Sequence, residues 1–178
     1  MRSASAVIPQ GPSSMFRILM ISAVVLALGA CQAKAPAPDQ SVQSKAFMEK
    51  TVKEAGVKTL PSGVAFKVVR EGPADGLRPQ LNDEVKVHYE GKLVDGKVFD
   101  SSYERGQPAA MPLAGLIPAW QEALQLMRPG DEWVLYVPPE QGYGSEGAGG
   151  GEIPPGAALI FRIELIDVLP GPGRIQQG

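Results

Sequence analysis

The chain contains one convincing helix pattern among segments typical of strands, and this limits the fold more than any other feature. In GLIPAWQEALQLMRPGD, four large apolar residues recur at three- and four-residue spacing: Ile117, Trp120, Leu124 and Met127. Pro129-Gly130 ends the pattern. The segments GVAFKVVREG, DEVKVHYEGKLVDGKVFDSS, EWVLYVPPE and AALIFRIELIDVL are instead rich in β-branched and aromatic residues. Since one helix must cover the sheet, the sequence predicts an α+β domain, an antiparallel sheet of about five strands wrapped around one amphipathic helix.

The strand segments also predict which side chains face the core. Val85, Val87 and Tyr89 alternate with Lys86, His88 and Glu90, so the first three share one face and the last three the other. Phe161, Ile163 and Leu165 share one face of the last strand in the same way. Asp95-Gly96 predicts a tight turn between two strands of the long central segment.

The N-terminal region predicts an export signal. Arg17 precedes an apolar run over 18–30 that is too short to span a bilayer but has the length of a signal-peptide core. The run ends in LGAC, and Cys31 is the only cysteine of the chain. A plain secretory signal with an incidental cysteine is one interpretation. The pattern resembles a bacterial lipobox more closely, which predicts a lipoprotein signal over 1–30 and lipidation of Cys31.

Residues 1–14 lack the features of a signal-peptide n-region, so Met15 is an alternative start. The remaining chain divides into four predicted parts: a flexible tether over 31–43, a short helix over 44–56, a folded domain over 57–169 and a disordered tail over 170–178. Ser44 is the predicted N-cap of the short helix, and Gly56 is its predicted stop.

Composition and charge narrow the classes of function. Lys and Arg total 17 against 19 acidic residues, without a basic block, which argues against a nucleic-acid surface. His88 is the only histidine and lies on the predicted polar face, so an acid–base site and the usual metal sites lack the necessary groups. The loop QGYGSEGAGGGEIPPG does not carry a phosphate-binding motif. The sequence therefore predicts no metal and no cofactor.

Asp100 directly follows Phe99, and this pair requires an explanation. A carboxylate near apolar rings must be hydrogen-bonded or paired, since its burial otherwise costs several kcal/mol. Arg105, or the hydroxyl of Tyr89, could supply the partner.

Four segments carry a resemblance to a known family: VKVHYEGKLVDGKVFDSS, LIPAWQEALQLMRPGDEWVLYVP, YG and IPPGAALIFRIELIDV. In this order and spacing they closely resemble the FKBP-type peptidyl-prolyl cis–trans isomerases, the macrolide-binding immunophilins. The chain is especially similar to bacterial members such as the macrophage infectivity potentiator-like lipoproteins. The resemblance covers about residues 57–169.

The resemblance implies a prolyl isomerase with an apolar proline pocket and no cofactor. The implied substrate-binding residues are Tyr89, Phe99, Asp100, Leu116, Ile117, Trp120, Tyr143, Ile153 and Phe161. Among them, Asp100, Tyr143 and Phe99 are the implied catalytic residues. The resemblance also implies that Trp120 forms the floor of the pocket and that the Ile117 N–H and the Tyr143 hydroxyl hold substrate carbonyls. Two departures bear on substrate preference and macrolide affinity, namely Ala109-Ala110 where members often place an aromatic, and the glycine-heavy loop SEGAGGGE.

The expected partners are X-Pro segments of unfolded or exported proteins, macrolide ligands, and a membrane reached through the lipid on Cys31. Gln32 stands where an aspartate would indicate inner-membrane retention, so we expect an outer-membrane lipoprotein of the bacterial envelope that faces the periplasm.

We also expect a monomer, because little chain separates Cys31 from Val57, whereas relatives that dimerise use a long N-terminal helical region. Two alternatives remain open: an envelope chaperone or peptide-binding module with little turnover, and an interaction protein that uses the fold as a scaffold. The pocket aromatics together with Asp100 favour the enzyme.

Overall fold

A computed structural model describes residues 38–172, and in this range the chain forms one antiparallel seven-stranded sheet, two α-helices and three short 3-10 helices, Leu113–Gly115, Pro139–Gln141 and Gly149–Gly151. The strands are β1 Val57–Thr59, β2 Ala65–Arg70, β3 Glu84–Leu93, β4 Val98–Ser101, β5 Ala109–Pro112, β6 Glu132–Val137 and β7 Leu159–Leu169, and the helices are α1 Ser41–Thr51 and α2 Pro118–Leu124. The order is β1-β2-β6-β7-β3-β4, and β5 also pairs with β3. The predicted α+β class is confirmed. The additional strands are β1 and β5, which have three and four residues and are too short for a recognisable alternation.

The two longest strands, β3 and β7, form the centre of the sheet, and their predicted alternation is confirmed. Val85 and Val87 of β3 are fully buried, and Tyr89 is nearly so. The inward residues of β7, Phe161, Ile163 and Leu165, are buried as well. Tyr89 pairs with Ile163, which brings the aromatic end of β3 next to that of β7.

The covering helix α2 is shorter than predicted. Pro118 occupies its first turn, and the helix ends at Leu124 rather than near Pro129-Gly130. Beyond Leu124 the backbone tightens into i→i+3 hydrogen bonds, including Met127 N to Leu124 O at 3.1 Å. These turns still bury Met127 completely. Met127 therefore packs in the core as the spacing predicted, although the helix does not extend to it.

The N-terminal helix α1 differs from the prediction at both ends. It begins at Ser41, inside the predicted tether, and Asp39 Oδ1 accepts the Ser41 N–H at 2.7 Å. It ends at Thr51, five residues before Gly56, which occupies a turn at φ 82°. Ser44 is therefore not an N-cap. It lies inside the helix and is buried against the domain.

The first residues after β7 are attached to the domain, and residues 173–178 of the predicted disordered tail lie outside the described residues. The Gly171 N–H donates to Asp83 Oδ1 at 2.9 Å. The predicted signal, Cys31 and most of the predicted tether lie outside the described residues. Within residues 38–172, neither helix has the length and apolar character needed to cross a bilayer.

Candidate functional site

A cavity of about 250 Å³ opens between the central strands and the start of α2. Strands β3, β4, β5 and β7, the segment before α2 and the loop after β6 all contribute to its wall. Its lining residues are Tyr89, Phe99, Asp100, Met111, Gly115, Leu116, Ile117, Trp120, Tyr143 and Phe161. The wall is largely apolar and aromatic, with one carboxylate and two phenols, which is the usual composition of a site that binds a small apolar group in a fixed orientation.

Four of the lining rings form a continuous edge-to-face series. The ring centroids of Tyr89 and Trp120 are 5.2 Å apart, those of Trp120 and Phe161 5.3 Å, and those of Phe161 and Phe99 5.6 Å. All three interplanar angles lie between 84° and 88°. Such contacts fix each ring by its neighbours, so the four rings form one continuous packed wall.

Gly91 of β3 explains how two of these rings reach their positions. A Cβ on this residue would lie 2.6 Å from Phe99 Cε2 and 2.7 Å from Phe161 Cε1. No side chain fits there, so glycine is required for the aromatic wall to approach the backbone of β3. The sequence carried a signal for this position, a glycine inside an otherwise regular strand, but the functional meaning depends on which rings cross it.

Asp100 takes part in a three-way polar contact at the rim of the cavity. The Tyr89 hydroxyl donates to Asp100 Oδ2 at 2.5 Å, and Arg105 Nη2 donates to the Tyr89 oxygen at 2.9 Å. Arg105 Nη1 also forms an ion pair with Asp100 Oδ1. Both partners proposed from the sequence are therefore present. The Asp100 and Arg105 side chains are 42% and 46% exposed, so the ion pair orients groups at the rim more than it stabilises the fold.

These contacts determine the protonation states at the cavity. Partial burial acts to raise the pKa of Asp100, but the hydrogen bonds from Tyr89 and Arg105 and the charge of Arg105 outweigh it and hold that pKa below its usual range. Burial, followed by the hydrogen bond to Asp100, raises the pKa of Tyr89. Burial and the negative charge of Asp100 also raise the pKa of Tyr143. At neutral pH the cavity thus presents an ionised carboxylate and two protonated phenols.

Ile117 lies in the segment before α2 and lines the cavity. Ile117 has extended dihedral angles, φ −60° and ψ 150°, and its carbonyl accepts the Trp120 N–H at 2.9 Å. Its own N–H donates to no acceptor among the described residues. Gln121 Nε2 supports this conformation by donating to the Leu116 carbonyl at 2.7 Å. Ile117 N–H is therefore held in place with its hydrogen-bonding capacity unused.

The structure brings all the residues expected in the pocket to one cavity except Ile153. Ile153 is buried in the core and its backbone bridges to Ala148, so its expected contact with substrate stays a prediction. Met111 and Gly115 line the cavity but were missed. Met111 pairs with Val85 across β5 and β3, and this pairing could not be found because β5 itself was not predicted.

His88 lies on the other face of β3, as its alternation predicted, and does not line the cavity. Its Nδ1 is 3.0 Å from Ser102 Oγ, and its ring stacks on Tyr103 with a centroid distance of 4.7 Å. Among the described residues, no group of three or more potential metal-ligating side chains comes together.

An antiparallel sheet, one short covering helix and an aromatic cavity with a rim carboxylate define an FKBP-like domain. The model of the family described as FKBP-type peptidyl-prolyl cis-trans isomerase matches residues 76–166. The chain belongs to this enzyme family.

Known proteins agree with the assignment. The peptidyl-prolyl cis-trans isomerase Mip of Coxiella burnetii is 52% identical over 126 residues, covering 71% of this chain and 54% of that protein. The crystal structure of FkpA from Escherichia coli superposes with a TM-score of 0.69 at 44% identity, covering 74% of this chain and 60% of that one. A peptidyl-prolyl cis-trans isomerase from Pseudomonas syringae pv. tomato gives a TM-score of 0.69 at 38% identity, covering 77% of this chain and 100% of that one. The chain spans little more than half the length of the Coxiella relative.

Proposed function

We propose that this protein catalyses cis–trans isomerisation of X-Pro bonds by binding the twisted amide in the aromatic cavity. The observation that carries the proposal is the edge-to-face series of four rings with Asp100 at its rim. In this arrangement the pyrrolidine ring of proline rests on Trp120, between Tyr89, Phe99 and Phe161.

The reaction needs no nucleophile and no proton transfer. Rotation about the X-Pro amide breaks its resonance, and the barrier for a peptide bond is about 18–20 kcal/mol. A catalyst therefore needs only to bind the twisted amide better than either planar form. An apolar cavity does so because it grips the proline ring while the preceding residue turns, and because it excludes the water that stabilises the polar planar amide.

The polar groups at the rim then hold the chain on either side of the proline. In our proposal the Ile117 N–H and the Tyr143 hydroxyl donate to substrate carbonyls, and Leu116 lines the path of the peptide. Asp100 orients the Tyr89 hydroxyl and polarises the rotating carbonyl. It does not act as a general base, since its lowered pKa and its bonds to Tyr89 and Arg105 make it a poor proton acceptor.

The same cavity is the proposed site for macrolides, which would compete with the peptide. Met111, rather than Ala109 or Ala110, supplies the apolar side chain from β5. Methionine is flexible and polarizable, so this wall adapts to differently shaped residues before proline.

We further propose that the substrates are exported proteins, and that the protein is a monomeric lipoprotein attached through Cys31 to the outer membrane, facing the periplasm. The support is the signal-like run that ends in LGAC with Gln32 after the cysteine. Two or more acyl chains at Cys31 would give lasting membrane attachment, whereas one chain gives only marginal attachment.

Metabolic labelling with a fatty-acid probe tests the anchor independently of the isomerase activity. We expect the wild type to incorporate the probe and a Cys31→Ser variant to lose that incorporation.

The direct test is the cis-to-trans rate of a short X-Pro peptide with the full chain and with Asp100→Ala. We expect clear acceleration by the wild type and about a tenfold lower kcat/KM for the variant, because the variant loses a charged hydrogen-bonding group at the rim. Asp95→Ala, an exposed aspartate in the turn of the same hairpin, is the matched control and should keep full activity.

A folded wild type without acceleration would disprove the enzyme proposal. Binding of X-Pro peptides in the same sample would then favour an envelope chaperone or peptide-binding module.

The activity should be nearly independent of pH between about 5 and 8.5. The lowered pKa of Asp100 places its titration below the usual value for aspartate, about 3.9, and the raised pKa values of Tyr89 and Tyr143 place theirs above about 10. As the pH falls through the lowered pKa of Asp100, the ion pair with Arg105 is lost, and both activity and the small stability contribution of the pair should fall. The measurement is kcat/KM against pH, with the uncatalysed rate subtracted at each point. A change in kcat/KM between pH 5 and 8.5 that disappears in His88→Asn would contradict the proposal, since it would give the histidine a role.

A further inference from the structure

Ser44 connects the N-terminal helix to the loop over 154–158, which follows the glycine-rich segment. The residue is 1% exposed, although serine on a surface helix is normally solvated. Ser44 Oγ donates to the Gly156 carbonyl at 2.7 Å and accepts the Ala158 N–H at 2.6 Å. One hydroxyl thus satisfies two backbone groups more than one hundred residues away in sequence.

The start of α1 packs closely on the same loop. The Gln40 N–H donates to the Pro155 carbonyl at 2.9 Å. A Cβ on Gly156 would lie 2.2 Å from Ser41 Oγ and 2.9 Å from the Ser41 backbone nitrogen, and Gly156 has a φ of +67°. Glycine is therefore required at this point of contact for two independent reasons.

The loop in turn is bonded to the segment that carries Tyr143. The Gly156 N–H donates to the Gly144 carbonyl at 2.9 Å, and Gly144 directly follows Tyr143. The Tyr143 carbonyl accepts the Gly147 N–H at 3.2 Å. Tyr143 itself is 38% exposed and reaches the cavity from outside the sheet, so its position depends on these backbone contacts more than on core packing.

We propose that α1 acts as a clamp that positions Tyr143 over the cavity, with Ser44 as the positioning residue. The proposal rests on the proposed isomerase function, in which the Tyr143 hydroxyl donates to a substrate carbonyl. Ser44 fixes Gly156, Gly156 fixes Gly144, and Gly144 limits where the Tyr143 backbone lies. The N-terminal helix is therefore part of the working site, although it touches neither the cavity nor the substrate.

The test is a double-mutant cycle on the full chain, with Ser44→Ala, Tyr143→Phe and the combined variant. Ser44→Ala is expected to lower kcat/KM for an X-Pro peptide by about three- to tenfold, the range that corresponds to one hydrogen bond. In the Tyr143→Phe background the same substitution should cause no further loss, because the hydroxyl that it positions is already absent. Gln43→Ala, an exposed polar residue next to Ser44, is the matched control and should match the wild type.

A merely structural role gives a different result. If Ser44→Ala lowered activity by the same factor with and without the Tyr143 hydroxyl, or not at all, the positioning proposal would be wrong while the isomerase proposal stood. An inactive wild type would instead overturn the isomerase proposal itself. If Ser44→Ala does not fold, Gly156→Ala disturbs the clamp from the opposite side with Ser44 in place, and the same cycle with Tyr143→Phe decides the question.

Discussion

Replacement of Phe99 by alanine is expected to lower kcat/KM for an X-Pro peptide by about 30-fold. The Phe99 ring closes the end of the edge-to-face series, 5.6 Å from Phe161, and it completes the apolar contact when a proline ring enters. Loss of that contact costs about 2 kcal/mol, and each 1.36 kcal/mol corresponds to a factor of ten in rate. The measurement is the peptide isomerisation rate at substrate concentrations well below KM.

The control for Phe99→Ala must remove a similar ring that does not face the cavity. Tyr103→Ala meets this requirement, since Tyr103 is partly exposed and stacks on His88, on the other face of β3. We expect nearly wild-type activity for Tyr103→Ala. Equal losses in the two variants, or no loss in Phe99→Ala when thermal unfolding shows that it is folded, would contradict the assignment of the cavity as the active site.

Gly91→Ala is expected to lower kcat/KM by about 10- to 100-fold, although it adds only one methyl group. The new Cβ would lie 2.6–2.7 Å from atoms of Phe99 and Phe161, so at least one ring must move. Phe161 is buried in the core, while Phe99 is only partly buried, so Phe99 is the ring expected to shift into the cavity. A displacement of about 1 Å at an active site can cost about 100-fold in rate.

A second glycine of the same hairpin separates this effect from general destabilisation. Gly96→Ala meets no atom within 4 Å, but it is strained because Gly96 has a φ of +90°. Gly96→Ala should lower the unfolding temperature and leave kcat/KM unchanged, whereas Gly91→Ala should lower both. If Gly91→Ala kept full activity, the close approach of the two rings to β3 would have no functional importance.

The parts of the fold that follow from local patterns were predictable. The alternation over 85–90 and 161–165 identified the buried faces, because a strand repeats every two residues whatever its neighbours are. The helix pattern identified α2 but not its end, since tight turns after Leu124 bury Met127 as well as a continuing helix would. The short strands β1 and β5 gave no signal, because their hydrogen bonds come entirely from longer partners.

Some residues of the site were predictable from the sequence and others were not, for the same physical reason. The pairing of Asp100 with Arg105 and Tyr89 was expected, because a carboxylate next to apolar rings must find donors and only a few were near in sequence. Met111 was missed because it depended on an unpredicted strand. Ile153 stays a prediction because a resemblance transfers positions along the chain, whereas the side chain that reaches a cavity depends on how the loop folds.

The sequence by itself determined the α+β class and the faces of the central strands, since these depend on residue type and period, and its resemblance to a known family implied most of the aromatic residues of the cavity. Only the tertiary structure decided that Gly91 makes room for two rings and that Ser44 holds a loop more than one hundred residues away. Both depend on contacts between segments distant in sequence, and a contact of that kind leaves no periodic signal in either segment.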